Sequence, residues 1–394
     1  MLSKEENELL TKTGPGTPMG ELLRRYWMPA LLSEEIPAPD CPPVRVRLLG
    51  EDLVAFRDSQ GKIGLLDEHC SHRGTSLFYG RNEECGLRCI YHGWKYDVEG
   101  NVLETPAEPP GSTLKHKVHH KAYPCREIAG MIFTYMGPKE KMPIFPELEW
   151  LRLPKGQTFV IKAFQECNYL QGLEGDCDSA HLSYLHSTNY DLYRQSDSSP
   201  TLIAEETEFG VRMVAIRKAG PEANYVRVTN FIMPSTGHVS AKSNRVHYWG
   251  PIDDTHSWKY SFCFSVAGAI SEEEKLSLKT EVGPDYRKIR NPHNNYIQDR
   301  QKQGSESYTG VEGFLAQDSC VTESMGPICN RTREHLGRSD VSVIAVRRFL
   351  LNAVLSLQAG KEPPCLAREQ ESSWRPVSVG TVLPSNRSWR EVLG

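Results

Sequence analysis

Residues 70–94, CSHRGTSLFYGRNEECGLRCIYHGW, constrain this chain more than any other stretch. Cys70-Ser71-His72 is a Cys-x-His pair, Cys89-Ile90-Tyr91-His92 is a Cys-x-x-His pair, and 16 residues separate the two. Two thiolates and two imidazoles on paired loops make a metal site. Zinc accepts Cys2His2. A [2Fe–2S] cluster accepts it too, with both cysteines on one iron and both histidines on the other. In either case the fold must hold two short loops face to face.

The surrounding text is β-like. Val44, Val46 and Leu48 alternate with Arg45 and Arg47, an apolar run covers residues 53–56, and residues 63–66 follow a polar turn. Residues 94–98 and 102–103 form a further hairpin around Glu99-Gly100-Asn101. Upstream, Thr17 suits a helix cap and Pro18 a first helical position, so Leu22, Leu23, Tyr26 and Trp27 predict one short helix ending before Pro29. His119, His120 and Cys125 have no matching partners and read as surface or packing residues, and Cys85 as a bystander. Pro138, Pro143, Pro146 and Pro154 mark a domain boundary.

A second chemical signal lies at Asp178, His181 and His186, spaced Asp-x2-His-x4-His. At about 100° per residue on a helix, the two histidines fall on either side of Asp178 and share a cavity only if the helix loosens. Two histidines and a carboxylate are the ligand set of non-haem Fe(II) sites. Alone the spacing is weak evidence, but an electron-carrying cluster upstream would need such an acceptor. Residues 201–268 are rich in Val, Ile, Tyr, Phe and Trp and predict long antiparallel strands. Residues 271–310 read as irregular segments or short helices, and residues 313–358 as two helices. The first of these can supply a carboxylate. Asp318 is the choice and Glu323 the alternative. Text after Gly360 reads as an extended tail.

Net charge is −4, which offers no basic surface for nucleic acid, and no run of 18 apolar residues predicts a membrane span. The polar start MLSKEENELLTKTG carries no apolar signal region, so the 11 cysteines read as reduced thiols in a cytoplasm.

The loops CSHRG and CIYHGW, with EGDCDSAHLSYLH, DRQ at residues 299–301 and QDSCVTESMGPICNRTREHLGRSD, resemble the oxygenase (α) component of a Rieske non-haem iron oxygenase. The likeness covers roughly residues 15–360 and is nearest the phthalate-oxygenase branch. It implies an α+β chain: an all-β Rieske [2Fe–2S] domain, then a catalytic domain whose antiparallel sheet wraps around a helix. The expected divisions are a helical segment (residues 1–40), the Rieske domain (41–140), the catalytic domain (141–360) and a tail (361–394). The resemblance makes Cys70, His72, Cys89 and His92 cluster ligands. It makes His181, His186 and Asp318 ligands of a mononuclear Fe(II), and Asp178 the carboxylate linking that iron to a cluster. It implies O2 as co-substrate, NAD(P)H used through a separate flavin- or ferredoxin-containing reductase, and a homotrimer or stacked trimers. The family oxidises aromatic compounds by dihydroxylation or by monooxygenation, including O-demethylation, and an aromatic acid or a methoxylated arene is the expected substrate. Arg245 could meet a substrate carboxylate, but a strand-edge surface position is the favoured reading, and Arg212, Arg217 and Arg227 stand alike. A Rieske electron carrier without oxygenase activity and a zinc-stabilised binding module are the rival functions.

Overall fold

The computed structural model describes residues 1–146, 148–187, 197–240, 244–279, 281–367 and 374–394. Two short helices, α1 (Lys4–Thr11) and α2 (Pro18–Leu23), open the chain. Strands then follow: β1 (Trp27–Leu32), β2 (Val44–Leu48), β3 (Glu51–Arg57), β4 (Ile63–Asp67), β5 (Arg81–Glu83), β6 (Gly86–Arg88), β7 (Lys95–Tyr96), β8 (Val102–Glu104), β9 (Cys125–Ile128) and β10 (Met131–Tyr135). They build three small antiparallel sheets, β1-β10-β9, β2-β3-β4 and β5-β6-β7-β8. The expected single helix before Pro29 is corrected here. α2 stops at Leu23, and Trp27 opens an edge strand on β10. Pro29 has no N–H to give a ladder, and the pairing bulges between Pro29 and Leu31.

The second half is one large antiparallel sheet wrapped on a helix. Its strands are β11 (Thr158–Gln165), β12 (Thr201–Thr207), β13 (Gly210–Lys218), β14 (Ala223–Ile232), β15 (Thr236–Val239), β16 (Asn244–Pro251) and β17 (Ser257–Phe264), in spatial order β11-β17-β16-β15-β14-β13-β12. The gripped helix is α3 (Tyr169–Cys177); α4 (Glu272–Lys279), α5 (Arg300–Ser305), α6 (Phe314–Ser324) and α7 (Val341–Gln358) follow the sheet. On the α3 face, Leu170 and Leu173 pack with Phe231, Trp249, Val346 and Leu350. The opposite face packs Tyr260, Phe262 and Phe264 against Phe133, Phe145 and Trp150. Strand alternation therefore sends Arg227, Val239, Arg245, His247 and Lys259 to the α3 side.

The tail is corrected as well. Residues Val379–Pro384 form β18, which pairs with residues 223–228 of β14, and Val379 and Leu383 pack on Val214, Val226 and Val228. Residues 368–373 of the expected tail lie outside the described residues.

Candidate metal centres

The two cysteine–histidine loops close in the same way. Cys70 N–H donates to Thr75 O and Gly74 N–H to Cys70 O; Cys89 N–H donates to Trp94 O and Gly93 N–H to Cys89 O. Gly74 and Gly93 both sit at φ +73°, a conformation that a side chain would strain, so each loop needs its glycine. Cys70 and Cys89 are buried with Leu77, Leu87, Trp94 and Tyr96, and the Tyr96 hydroxyl lies 3.0 Å from Cys70 Sγ. His72 and His92 stand half-buried with ring centroids 4.5 Å apart, and His72 stacks on Trp94. Buried thiols behind outward imidazoles suit two irons in line. A single tetrahedral zinc would gather all four donors around one point, and the four do not gather so. His120 packs as expected, and it pins the first loop: Ser71 Oγ lies 2.7 Å from Nδ1, and Nε2 lies 2.9 Å from Asp67 O.

A single-ion set does form elsewhere. Among the described residues, His181, His186 and Asp318 bring donor atoms within 4.8 Å of one another. The loosening that a shared cavity requires is present between Asp178 and the histidines. α3 ends at Cys177, Asp178 is extended (φ −90°, ψ 115°), and His181 starts a short 3-10 turn, His181–Ser183. Asp178 breaks the helix itself, because its Oδ1 accepts from the Ala180 N–H at 2.7 Å. That break removes the splay that a regular helix would impose. Arg217, fully buried, fixes the same turn by donating to Ser179 O at 2.6 Å.

Each histidine has one ring nitrogen assigned. His181 Nδ1 faces Asp178 Oδ2 at 3.6 Å. His186 Nδ1 lies 2.7 Å from Gln317 Oε1, while Nε2 faces Asp318 Oδ1 at 2.9 Å. Phe314 stacks on the His186 ring at 3.7 Å. Burial pushes the Asp318 carboxyl up, but His186 and Lys259 outweigh it and hold it well below the carboxylate range. Lys259 Nζ lies 3.8 Å from Asp318 Oδ2. Glu323, the alternative carboxylate, is taken elsewhere: it accepts from Lys288 Nζ, Tyr296 O–H and the Glu166 N–H.

The cavity at this triad is lined by Asp178, His181 and Asp318 and by Arg227, Arg245 and His247 of the sheet. Arg245 is thus not an outward strand-edge residue, because the register of β16 turns it toward α3. Gln317, Lys259, Asp176 and His247 escaped the sequence reading. Gln317 adjoins Asp318, and His247 alternates with Arg245, but neither type announces a role. A roomier cavity, ≈ 610 Å³, lies on the opposite sheet face among Trp150, His238, Phe264 and Trp374, and no candidate metal ligand borders it.

Comparison with known proteins covers both halves of the chain. Residues 26–124 match the Rieske [2Fe-2S] domain family, and residues 134–393 match the family described as LigXa C-terminal domain like. The phthalate 4,5-dioxygenase oxygenase subunit of Pseudomonas putida is 39% identical, over 99% of this chain and 94% of that one. The 5,5'-dehydrodivanillate O-demethylase oxygenase subunit of Sphingobium sp. (strain NBRC 103272 / SYK-6) is 32% identical, over 94% of this chain and 84% of that one. Dicamba monooxygenase bound to dicamba shares the fold, with TM-score 0.64, 16% identity and coverage of 86% of this chain and 99% of that one. A histidine–carboxylate triad beside a Rieske domain also leaves the bare electron carrier without support, and the chain belongs to the Rieske non-haem iron oxygenases, as an oxygenase component carrying a [2Fe–2S] cluster and a mononuclear iron.

Proposed function

We propose that this oxygenase component oxidises an aromatic carboxylic acid, and that Arg245 receives the carboxylate. Arg245 carries the reading. Its Nε is buried without a hydrogen-bond partner, and no described residue accepts from its guanidinium. It lines the same cavity as His181 and Asp318. An unpaired guanidinium in a half-buried site is costly unless a ligand pairs with it, and a carboxylate does so in bidentate fashion. The relatives include a phthalate 4,5-dioxygenase at 39% identity and a 5,5'-dehydrodivanillate O-demethylase at 32%, so ring dihydroxylation is the favoured reaction and oxidative O-demethylation the second.

When bound, the cluster supplies single electrons drawn from NAD(P)H by a separate reductase, and the iron supplies the positions at which O2 is reduced. The chain's own residues orient the ligands. Cys70, His72, Cys89 and His92 hold the cluster; His181, His186 and Asp318 hold the iron; Asp178 and Gln317 face the far nitrogens of the two histidines. The assembly is a cytoplasmic homotrimer, or two stacked trimers, with the cluster of one chain against Asp178 of the next. Exposed apolar groups on both surfaces support this: Tyr79, Ile90 and Tyr91 are 59%, 58% and 54% exposed at the cluster loops, and Tyr184 is 51% exposed near His181.

The test is substrate-coupled O2 uptake with a compatible reductase, NADH and a panel of aromatic acids, their methyl esters and methoxyarenes. Acids outrun their esters, and Arg245→Met raises KM for acids about thirtyfold, equivalent to about 2 kcal/mol for a charged hydrogen-bonded pair, with kcat less affected. Diol products indicate dihydroxylation and formaldehyde indicates demethylation. Equal turnover of esters and acids would refute the carboxylate reading.

A further inference from the structure

His247 lines the metal-bearing cavity, and its surroundings dictate where its proton sits. Its Nδ1 lies 2.6 Å from Asp176 Oδ1, while Asp176 Oδ2 accepts from Trp249 Nε1 at 2.6 Å. The two side chains are 6% and 8% exposed. A Cβ at residue 237 would lie 2.6 Å from the Asp176 carboxylate, so Gly237 makes room for it. Burial pushes the Asp176 carboxyl up, but His247, Lys259 and Trp249 together hold it below its ordinary range. An ionised carboxylate only accepts, so the proton is on Nδ1. Burial also lowers the pKa of the His247 ring, and Lys259 and Arg245 add to this against Asp176. With the Nδ1 proton held by Asp176, Nε2 of the neutral ring presents a lone pair into the cavity, and no described residue donates to it.

Arg245 and His247 are alternate residues of one strand, about 7 Å apart along it, and they point to the same face. The cavity thus offers a cation for an anion and, beside it, an acceptor in search of a donor. A second carboxylate would be repelled by the lone pair, and a methyl ether has no proton to give. We propose that His247, positioned by Asp176, selects a ring hydroxyl: the substrate class is a hydroxylated aromatic acid whose O–H donates to Nε2 while its carboxylate lies on Arg245. The carboxylate half rests on the function proposed above; the hydroxyl half stands on His247 alone.

Binding rather than turnover separates the two. The iron-loaded, cluster-containing protein is titrated calorimetrically, without O2 and near pH 7, with the three hydroxybenzoates, the matching methoxybenzoates, benzoate, phenol and anisole. At least one hydroxybenzoate binds about tenfold more tightly than both its methoxy counterpart and benzoate. In His247→Phe, with cluster absorbance and iron content retained, that gap disappears. The proposal is overturned if no isomer shows the gap in the unmodified protein, or if the gap survives in His247→Phe. Should His247→Phe fail to fold, the unmodified protein's series decides by itself. If benzoates bind no better than neutral arenes, the carboxylate reading fails, and phenol against anisole still decides the role of His247.

Discussion

Gln317 shows how one amide can determine the chemistry of a neighbouring ring. Its Nε2 donates to Val311 O at 2.8 Å and to Thr309 Oγ1 at 3.3 Å, which fixes the amide's direction. Its Oε1 must then accept, so His186 carries its proton on Nδ1 and keeps Nε2 for a metal. Gln317→Leu removes the acceptor without changing the ligand set, and about a tenfold to hundredfold loss of Fe(II) affinity is expected, read by chelator competition. Gln317→Glu keeps an acceptor and should retain most of the metal. If Gln317→Leu holds Fe(II) as tightly as the unmodified protein, Gln317 has no part in orienting His186. The contrast with the cluster loops explains what was legible. Cys70, His72, Cys89 and His92 are reactive types at short spacing, so local text carries the signal. Gln317, Asp176 and His247 are ordinary residue types, and their roles come from partners up to 131 residues away. The inward face of Arg245 is hidden in the sequence for the same reason: strand alternation gives two faces, and only tertiary packing says which one is inside.

At the scale of elements, α3 is the piece that everything else holds in place. Glu174, one turn before Asp178, accepts from Arg331 Nε at 3.0 Å and from Arg347 Nε at 2.6 Å, and Arg347 donates on to Glu334. Arg331 is fully buried. The network ties α3 to α7 and to the segment after α6, across the TREHLG text of the family motif. Burial pushes the Glu174 carboxyl up, but Arg331 and Arg347 outweigh it and hold it below its ordinary 4.5. Its contribution to stability is therefore complete above that ordinary value and is lost as pH falls through the lower, folded value. Denaturant midpoints should be flat with respect to this group from neutrality down to about pH 5 and should fall below that. Glu174→Gln leaves the buried Arg331 without its carboxylate and Arg347 with Glu334 alone, and should cost about 3–5 kcal/mol at pH 7, with a much flatter acid limb. An unchanged acid limb in that variant would assign the acid sensitivity to other carboxylates. The long strands and α7 were legible because their apolar periods are long and regular. The end of α3 was not, because the text stays helix-like while the Asp178 side chain captures the Ala180 N–H.

For the whole molecule, the question is which cluster serves which iron. The cluster loops belong to the core built on Val54, Leu66, Leu87 and Tyr96, whereas α3 belongs to a separate core with Phe231 and Trp249. The imidazoles at the cluster are half-buried beside exposed Ile90 and Tyr91, and Asp178 is half-buried at the far end of α3. Under the proposed head-to-tail trimer these surfaces meet between chains, and the site is incomplete in any one of them. Two inactive variants test this. His92→Ala removes a proposed cluster ligand but keeps the iron site. Asp178→Ala keeps the cluster, and its absorbance should be unchanged, but it removes the carboxylate facing His181. Each alone should lack coupled turnover. Co-expressed in equal amounts and purified as mixed assemblies, they form junctions in which an Asp178→Ala chain lends its cluster to the iron site of a His92→Ala chain. Random assembly makes about one junction in four productive, so about a quarter of the unmodified activity should return. If electrons instead pass within a chain, no chain in the mixture has both parts and the mixture stays inactive. Mixing the purified variants without subunit exchange should also give nothing, which separates a shared interface from simple collision in solution.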